Sequence, residues 1–211
     1  MAENYQKKLE AEIKRITDEN RKPRLLLHVC CAPCSSYVLE YLSQHFDITA
    51  CFYNPNISPK SEYDYRAQEL ERLTKEMSLS QLVRCRIEEY DPSSFAEISR
   101  GLENEPEGGA RCTACYRLRL EQTAKVAAAE HYDYFTTTLS ISPLKDAVRL
   151  NTIGCELSQQ YGVPYLYSDF KKREGYKRSI QLSAEYNLYR QDYCGCAFSK
   201  AESERRKSDK N

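Results

Sequence analysis

Leu25-Leu26-Leu27-His28-Val29-Cys30-Cys31-Ala32-Pro33-Cys34-Ser35-Ser36 is the stretch that decides the fold. Its first five residues form a short apolar run behind Pro23, the pattern of a strand buried on both faces. Three cysteines within the next five residues then lead to Ser35 or Ser36, either of which can cap a helix running to Phe46. A strand that turns directly into a helix is the first half of a crossover unit. The reactive side chains sit in the turn between them.

Outward from this stretch the alternation continues. A helix over 4–20 precedes it, with Tyr5, Leu9, Ile13 and Ile16 on one face. After it the patterns predict strands over 48–53, 82–87, 134–139 and 163–167. Helices are predicted over 60–77, 93–102, 113–131, 144–161 and 173–188, with a loop over 103–111 that holds Pro106, Gly108 and Gly109. Strand–helix alternation with apolar strands predicts an α/β three-layer sandwich around a mostly parallel sheet of about five strands. Such sheets place ligands beyond the carboxyl ends of their strands, the edge that carries Cys30 and Cys31. The expected organisation is an N-terminal helix within 1–24, an α/β catalytic domain over 25–198 and a charged flexible tail over 199–211.

The chain has 211 residues, 41% of them hydrophobic and 29% charged, with 31 basic and 31 acidic side chains. Its mean hydropathy is −0.72. These values exclude a disordered or membrane-embedded class. The charged N-terminus has no apolar core of a secretory signal, so the expected location is the reducing cytoplasm, without a membrane partner. Charge is uneven: residues 1–24 carry seven basic and five acidic groups, and residues 168–211 carry eleven and seven. Basic ends on an acidic body permit contact with a polyanion.

Ten cysteines in a cytosolic chain point to metal or redox chemistry rather than a disulfide framework. Seven of them cluster. Cys30, Cys31 and Cys34 lie at a helix N-terminus, which favours thiolate. Cys112 and Cys115 open a helix as Cys-x-x-Cys. Cys194 and Cys196 flank Gly195, which lets both thiols face one region, either to bind metal or to close a reducible, redox-active disulfide. Four thiolates fill one zinc or one [4Fe–4S] site, so the surplus requires a second metal or a redox dithiol. A zinc-bearing binding module and a thiol–disulfide oxidoreductase are the competing readings. Cys51, Cys85 and Cys155 read as buried packing residues.

Cys-Cys-Ala-Pro-Cys after the first strand, Cys112-Thr113-Ala114-Cys115-Tyr116, and Cys194-Gly195-Cys196 together resemble the QueH-type epoxyqueuosine reductases. So do Phe52-Tyr53-Asn54-Pro55-Asn56-Ile57, the segment from Thr136 to Pro143, and Asp169-Phe170-Lys171-Lys172 through Tyr176. The resemblance runs from Leu25 to Phe198. It implies a PP-loop-like (HUP-type) α/β fold and reduction of the epoxide of epoxyqueuosine in a tRNA anticodon to an alkene. The reaction takes two electrons and two protons and releases water. Under it, Cys30, Cys31, Cys112 and Cys115 would hold a [4Fe–4S] cluster. Cys194 and Cys196 would cycle as a dithiol or hold one additional mononuclear iron. Adjacent Cys30 and Cys31 are expected to point apart and so to serve different sites, with Cys34 completing either. No flavin, nicotinamide or glycine-rich phosphate motif is present, so an external low-potential electron donor is implied. Lys171, Lys172, Arg173, Lys177 and Arg178, beside Tyr176, are the candidate tRNA contacts.

Overall fold

A computed structural model describes residues 3–79 and 81–208. Four parallel strands form its sheet in the order β3-β2-β1-β4: β1 Arg24–His28, β2 Asp47–Phe52, β3 Val83–Ile87 and β4 Tyr134–Thr137. β1 and β2 are almost wholly buried because side chains leave a strand alternately to both faces and both faces are covered.

On one face Leu25, Leu27, Ile48, Ala50 and Phe52 pack against α1 (Tyr5–Asp18), α2 (Ala32–Leu42) and α3 (Lys60–Glu76). On the other, Leu26, Cys51 and Phe135 pack against α5 (Ala110–Ala129) and α6 (Ala147–Tyr161). α4 (Ser93–Ser99) lies against α5, and α7 (Gly175–Glu185) against α2. The expected three-layer α/β sandwich is thus the observed one. α1 contributes Leu9, Ile13 and Ile16 to the main core.

The strand expected over 163–167 shrinks to a single parallel bridge, Phe135 to Tyr165. The ladder stops because side chains engage the next two backbone groups. Thr136 Oγ1 donates to the Leu166 carbonyl at 2.8 Å, and the Ser168 N–H donates to Asn151 Oδ1 at 3.0 Å. Several helices begin elsewhere than expected, α7 two residues late at Gly175. α2 starts at Ala32, with Cys31 as its N-cap, so Cys34 is inside the first turn. α5 starts at Ala110, which shortens the loop predicted over 103–111 and brings Cys112 into its first turn. α6 starts at Ala147 because the Asp146 side chain accepts from the Arg149 N–H at 3.1 Å. The tail expected to be loose is the helix α8, Ala197–Ser208, as far as the described residues extend. No helix among them is long and apolar enough to cross a membrane.

β1 lies between β2 and β4, so the chain winds outward on both sides of it and the order reverses there. The turn after β1 and the 3-10 turn after β4 (Thr138–Ile141) meet at this switch point.

Candidate active site

The chain bends at Cys30, and Cys31 is extended (φ −172°, ψ 164°) before α2 begins. This bend breaks the side-chain alternation of the strand. The expectation that Cys30 and Cys31 point apart therefore fails: their Sγ atoms are 3.9 Å apart. With Cys34 one turn into the helix, all three sulfurs lie within 4.8 Å of one another. Thr138 closes the turn from the 3-10 segment after β4, its Oγ1 accepting the Cys30 N–H at 3.3 Å and lying 3.6 Å from Cys30 Sγ.

The three thiols share their charge unequally. Hydrogen bonds from Cys31, Cys34 and Thr138 hold Cys30 well below the usual thiol range, and the hydrogen bonds that Cys31 and Cys34 make to Cys30, with burial and its negative charge, in turn hold these two up. Beneath them His28 spans three strand ends. Its Nδ1 lies 2.8 Å from Thr137 Oγ1 and its Nε2 lies 3.1 Å from the Tyr53 carbonyl. That carbonyl can only accept, so Nε2 carries the hydrogen. Burial and nearby Arg119 push His28 down to about 3, which makes it a neutral staple between strands.

The second and third cysteine pairs meet on the far side of the same edge. A cavity of about 180 Å³ is lined by Cys30, Cys31, Cys34 and Cys194, with Arg66, Glu107, Lys145 and Tyr193. A smaller one is lined by Cys112, Cys115, Cys194 and Cys196, with Asn56, Glu107, Tyr116 and Arg119. Cys194 and Glu107 belong to both, so all seven clustered cysteines surround two adjoining spaces. Cys112 Sγ accepts the Gly108 N–H at 3.2 Å, and Cys196 Sγ accepts the Ser199 N–H at 3.3 Å. Burial pushes the Cys115 thiol up to about 12 and Cys112 up to a lesser degree.

The segment from Tyr186 to Cys196, which joins α7 to α8, is pinned in place. Arg72 Nη1 donates to the Tyr186 carbonyl at 3.1 Å, and Arg66 Nη1 donates to the Cys194 carbonyl at 3.2 Å. The Ser58 N–H donates to the Gly195 carbonyl at 3.0 Å. Gly195 has φ +116°, and a Cβ there would stand 2.9 Å from Arg66 Nη1. Only glycine suits that bend.

Four buried cations surround the thiols: Arg111, which precedes Cys112, and Arg66, Arg119 and Lys145, which sequence reasoning did not single out. Arg119 is 1% exposed and Arg66 2%. Burial disfavours their charged forms, yet Cys115, Cys194 and Cys30 raise Arg119, and Cys31 and Glu62 raise Arg66. Lys145 shows the same balance, with Cys194, Tyr116 and Glu107 outweighing burial; its Nζ is 3.5 Å from Glu107. Arg119 Nη2, Arg66 Nη2 and Asn56 Oδ1 are buried without a partner. The only sequence signal for these groups was proximity. Arg119 lies one turn after Cys115, Asn54 and Asn56 lie in the block after β2, and Lys145 follows Pro143.

This donor set fits a thiolate-bound metal or cluster. The triad is preformed, two outlying sulfurs accept backbone N–H groups, and fixed cations offset the charge that deprotonated thiols bring. All ten cysteines are free thiols. Cys51 is fully buried, and burial pushes its thiol up to about 12, in keeping with a packing role.

The basic stretch on and before α7 is largely neutralised. Lys171 pairs with Asp169 at 2.6 Å, Arg173 with Glu10 at 2.8 Å, Lys177 with Glu174 at 2.8 Å, and Arg178 with Glu40 at 2.6 Å. Lys172 is exposed. Tyr176 is the member of this group that reaches the site, lining a cavity beside Cys31 and Cys34.

A family model described as epoxyqueuosine reductase QueH matches residues 25–202. A Staphylococcus epidermidis protein named epoxyqueuosine reductase QueH is 46% identical over 199 residues, covering 92% of this chain and 84% of the relative. One from Streptococcus pyogenes is 43% identical over 197 residues, covering 92% and 77%. One from Thermotoga maritima is 35% identical over 178 residues, covering 83% and 89%.

Proposed function

Because this chain belongs to the epoxyqueuosine reductase QueH family, we propose that it reduces the epoxide of epoxyqueuosine in a tRNA anticodon to the alkene of queuosine. The observation that carries this reading is the convergence of seven thiols and four buried cations on two adjoining cavities at the carboxyl edge of the sheet. Both C–O bonds of the three-membered ring break, a C=C bond forms, two electrons and two protons are taken up, and water leaves. The electrons come from an external low-potential donor, and the reaction takes place in the cytoplasm.

Cys30, Cys31, Cys112 and Cys115 are the ligands we assign to a [4Fe–4S] cluster, which when bound supplies single electrons at low potential. Cys194 and Cys196 work beside it as a dithiol. Their closure to a disulfide releases two electrons and two protons, the number the substrate consumes. Lys145 Nζ, on the wall of the larger cavity, donates a hydrogen bond to the oxygen that leaves as water. Arg66 and Arg119 offset the charge of the thiolates, and Gly195 and Arg66 fix where Cys194 stands.

One observation favours a second division of the thiols. Tetrahedral metal–sulfur bonds of about 2.3 Å place sulfurs about 3.8 Å apart, near the 3.9 Å between Cys30 and Cys31. Under that reading Cys30, Cys31 and Cys34 hold one additional mononuclear iron.

The test is anaerobic incubation of the iron-loaded protein with a strong reductant and tRNA carrying epoxyqueuosine, followed by nucleoside analysis. Queuosine should appear. Persistence of the epoxide with iron content intact overturns the assignment, and a colourless protein with stoichiometric zinc favours a binding module.

A further inference from the structure

We propose that the cavity between Tyr176 and Arg190 seats the RNA nucleotide adjacent to the modified base, with Tyr176 stacking on its base and Arg190 meeting its phosphate. The inference rests on the substrate reading above and specifies how the RNA strand lies across the site.

The cavity, about 290 Å³, opens beside the cysteine triad. It shares Cys31, Cys34, Ser142, Leu144 and Gln191 with the larger active-site cavity. A strand that places its modified base in one space therefore presents its next nucleotide to the other. Tyr176 enters from the first turn of α7 and is half-buried, so its ring is held while an edge stays open. Single-stranded bases splayed from a loop are recognised by such aromatic platforms.

Charge complementarity selects the occupant. Lys171, Arg173, Lys177 and Arg178 are each matched by a carboxylate. Arg190 is exposed at the rim, and its side-chain bond among the described residues is to the neutral Ser183 hydroxyl at 3.0 Å. Its charge remains available to an anion. Leu144, 70% exposed, stands on the rim of both cavities. An apolar side chain there, with aqueous surroundings on most sides, suits a wedge between two unstacked bases. Arg190 and Gln191 also lie on the pinned segment that carries Cys194, so contact with the neighbouring nucleotide is made by the same piece of chain that lines the reaction space.

The experiment is anaerobic binding of a fluorescent anticodon stem–loop RNA to the iron-loaded full chain, with salt varied, for the wild type and for Tyr176→Ala, Tyr176→Phe, Arg190→Ala and Lys125→Ala. Tyr176→Ala should weaken binding about tenfold while Tyr176→Phe holds within about twofold, as stacking requires. Arg190→Ala should weaken binding and reduce the slope of log affinity against log salt by about one phosphate contact. Lys125→Ala, which removes a charge elsewhere on α5, should leave both affinity and slope unchanged. Wild-type affinity in Tyr176→Ala and Arg190→Ala overturns the proposal. So does a larger loss in Arg173→Ala than in Arg190→Ala, because binding would then follow the α7 cations. Wild-type turnover of the epoxide, measured on the same preparation, separates failure of this subsite from failure of the substrate assignment.

Discussion

The turn holding Cys30, Cys31 and Cys34 and the segment holding Cys194 and Cys196 supply thiols to the same place by opposite means. The first is local. One bend, one extended N-cap and one helical turn bring three sulfurs within 4.8 Å, using residues at most four apart. The second is assembled at long range. Cys194 and Cys196 are held by Arg66 and Ser58, more than a hundred residues away in sequence, and by a glycine with positive φ. The difference teaches that a preformed ligand set can be built cheaply from contiguous chain. The pair we propose to change redox state is instead placed on irregular backbone whose position depends on tertiary contacts.

The largest effect should come from removing one thiol assigned to the cluster, Cys112, which shares that role with Cys30 and Cys31, and one assigned to the dithiol, Cys196. Cys112→Ala should lose most of the bound iron and the absorption near 400 nm of the anaerobic protein. Cys196→Ala should keep most of the iron and lose turnover by orders of magnitude. Equal iron loss in both, read by metal analysis, breaks the division between cluster ligands and dithiol. Next is Gly195→Ala, which forces an alanine into the left-handed region and against Arg66. It should cost about 1–3 kcal/mol and lower Tm by about 2–4 °C per kcal/mol, with turnover impaired and the geometry of the triad preserved. A thermal melt unchanged from wild type would show that the Cys194 segment is not strained in this way.

Thiol reactivity sharpens the contrast further. In iron-free protein near pH 7, Cys30 should alkylate first, since hydrogen bonds from its neighbours favour its thiolate, and Cys51 last; mass-spectrometric mapping reads the order. Cys51 also carries a sign for stability. Its folded pKa, about 12, lies above the ordinary thiol value of 9.0. The folded state therefore holds the proton more tightly, and the stability this contributes is complete below about pH 9 and is lost as pH rises toward 12. The smallest expected effect is Tyr132→Phe, remote from both regions. It removes the 3.0 Å bond to Thr49 Oγ1 and should cost about 1 kcal/mol in denaturant unfolding with turnover unchanged.

Much of the architecture was legible because it rests on short-range patterns. Leu25 to Val29 declare a buried strand, and the alternation that follows dictates crossovers and a parallel sheet. Helix starts were less legible. Asp146 caps α6 through its own side chain, and Cys31 serves as an N-cap with no side-chain hydrogen bond, so nothing in its residue type announces the position. The strand over 163–167 was overcounted because Thr136 and Asn151 take the ladder's partners, which only the folded arrangement brings near. The carboxylates that pair with Arg173 and Arg178 in the basic stretch around Tyr176 were invisible in sequence because Glu10 and Glu40 lie far away along the chain.

By itself the sequence determined the layer architecture, the edge that carries the candidate site and the seven thiols clustered there, because strand periodicity, cysteine spacing and position after a strand are properties of contiguous chain. Only the tertiary structure decided that Cys30 and Cys31 face the same way, that Arg66, Arg119 and Lys145 stand over the thiols, and that Arg190 keeps a charge to offer at the cavity rim while Lys171, Arg173, Lys177 and Arg178 meet carboxylates. Those outcomes depend on which distant side chains meet, and electrostatic compensation at a buried site is set by distance in space and by exclusion of water.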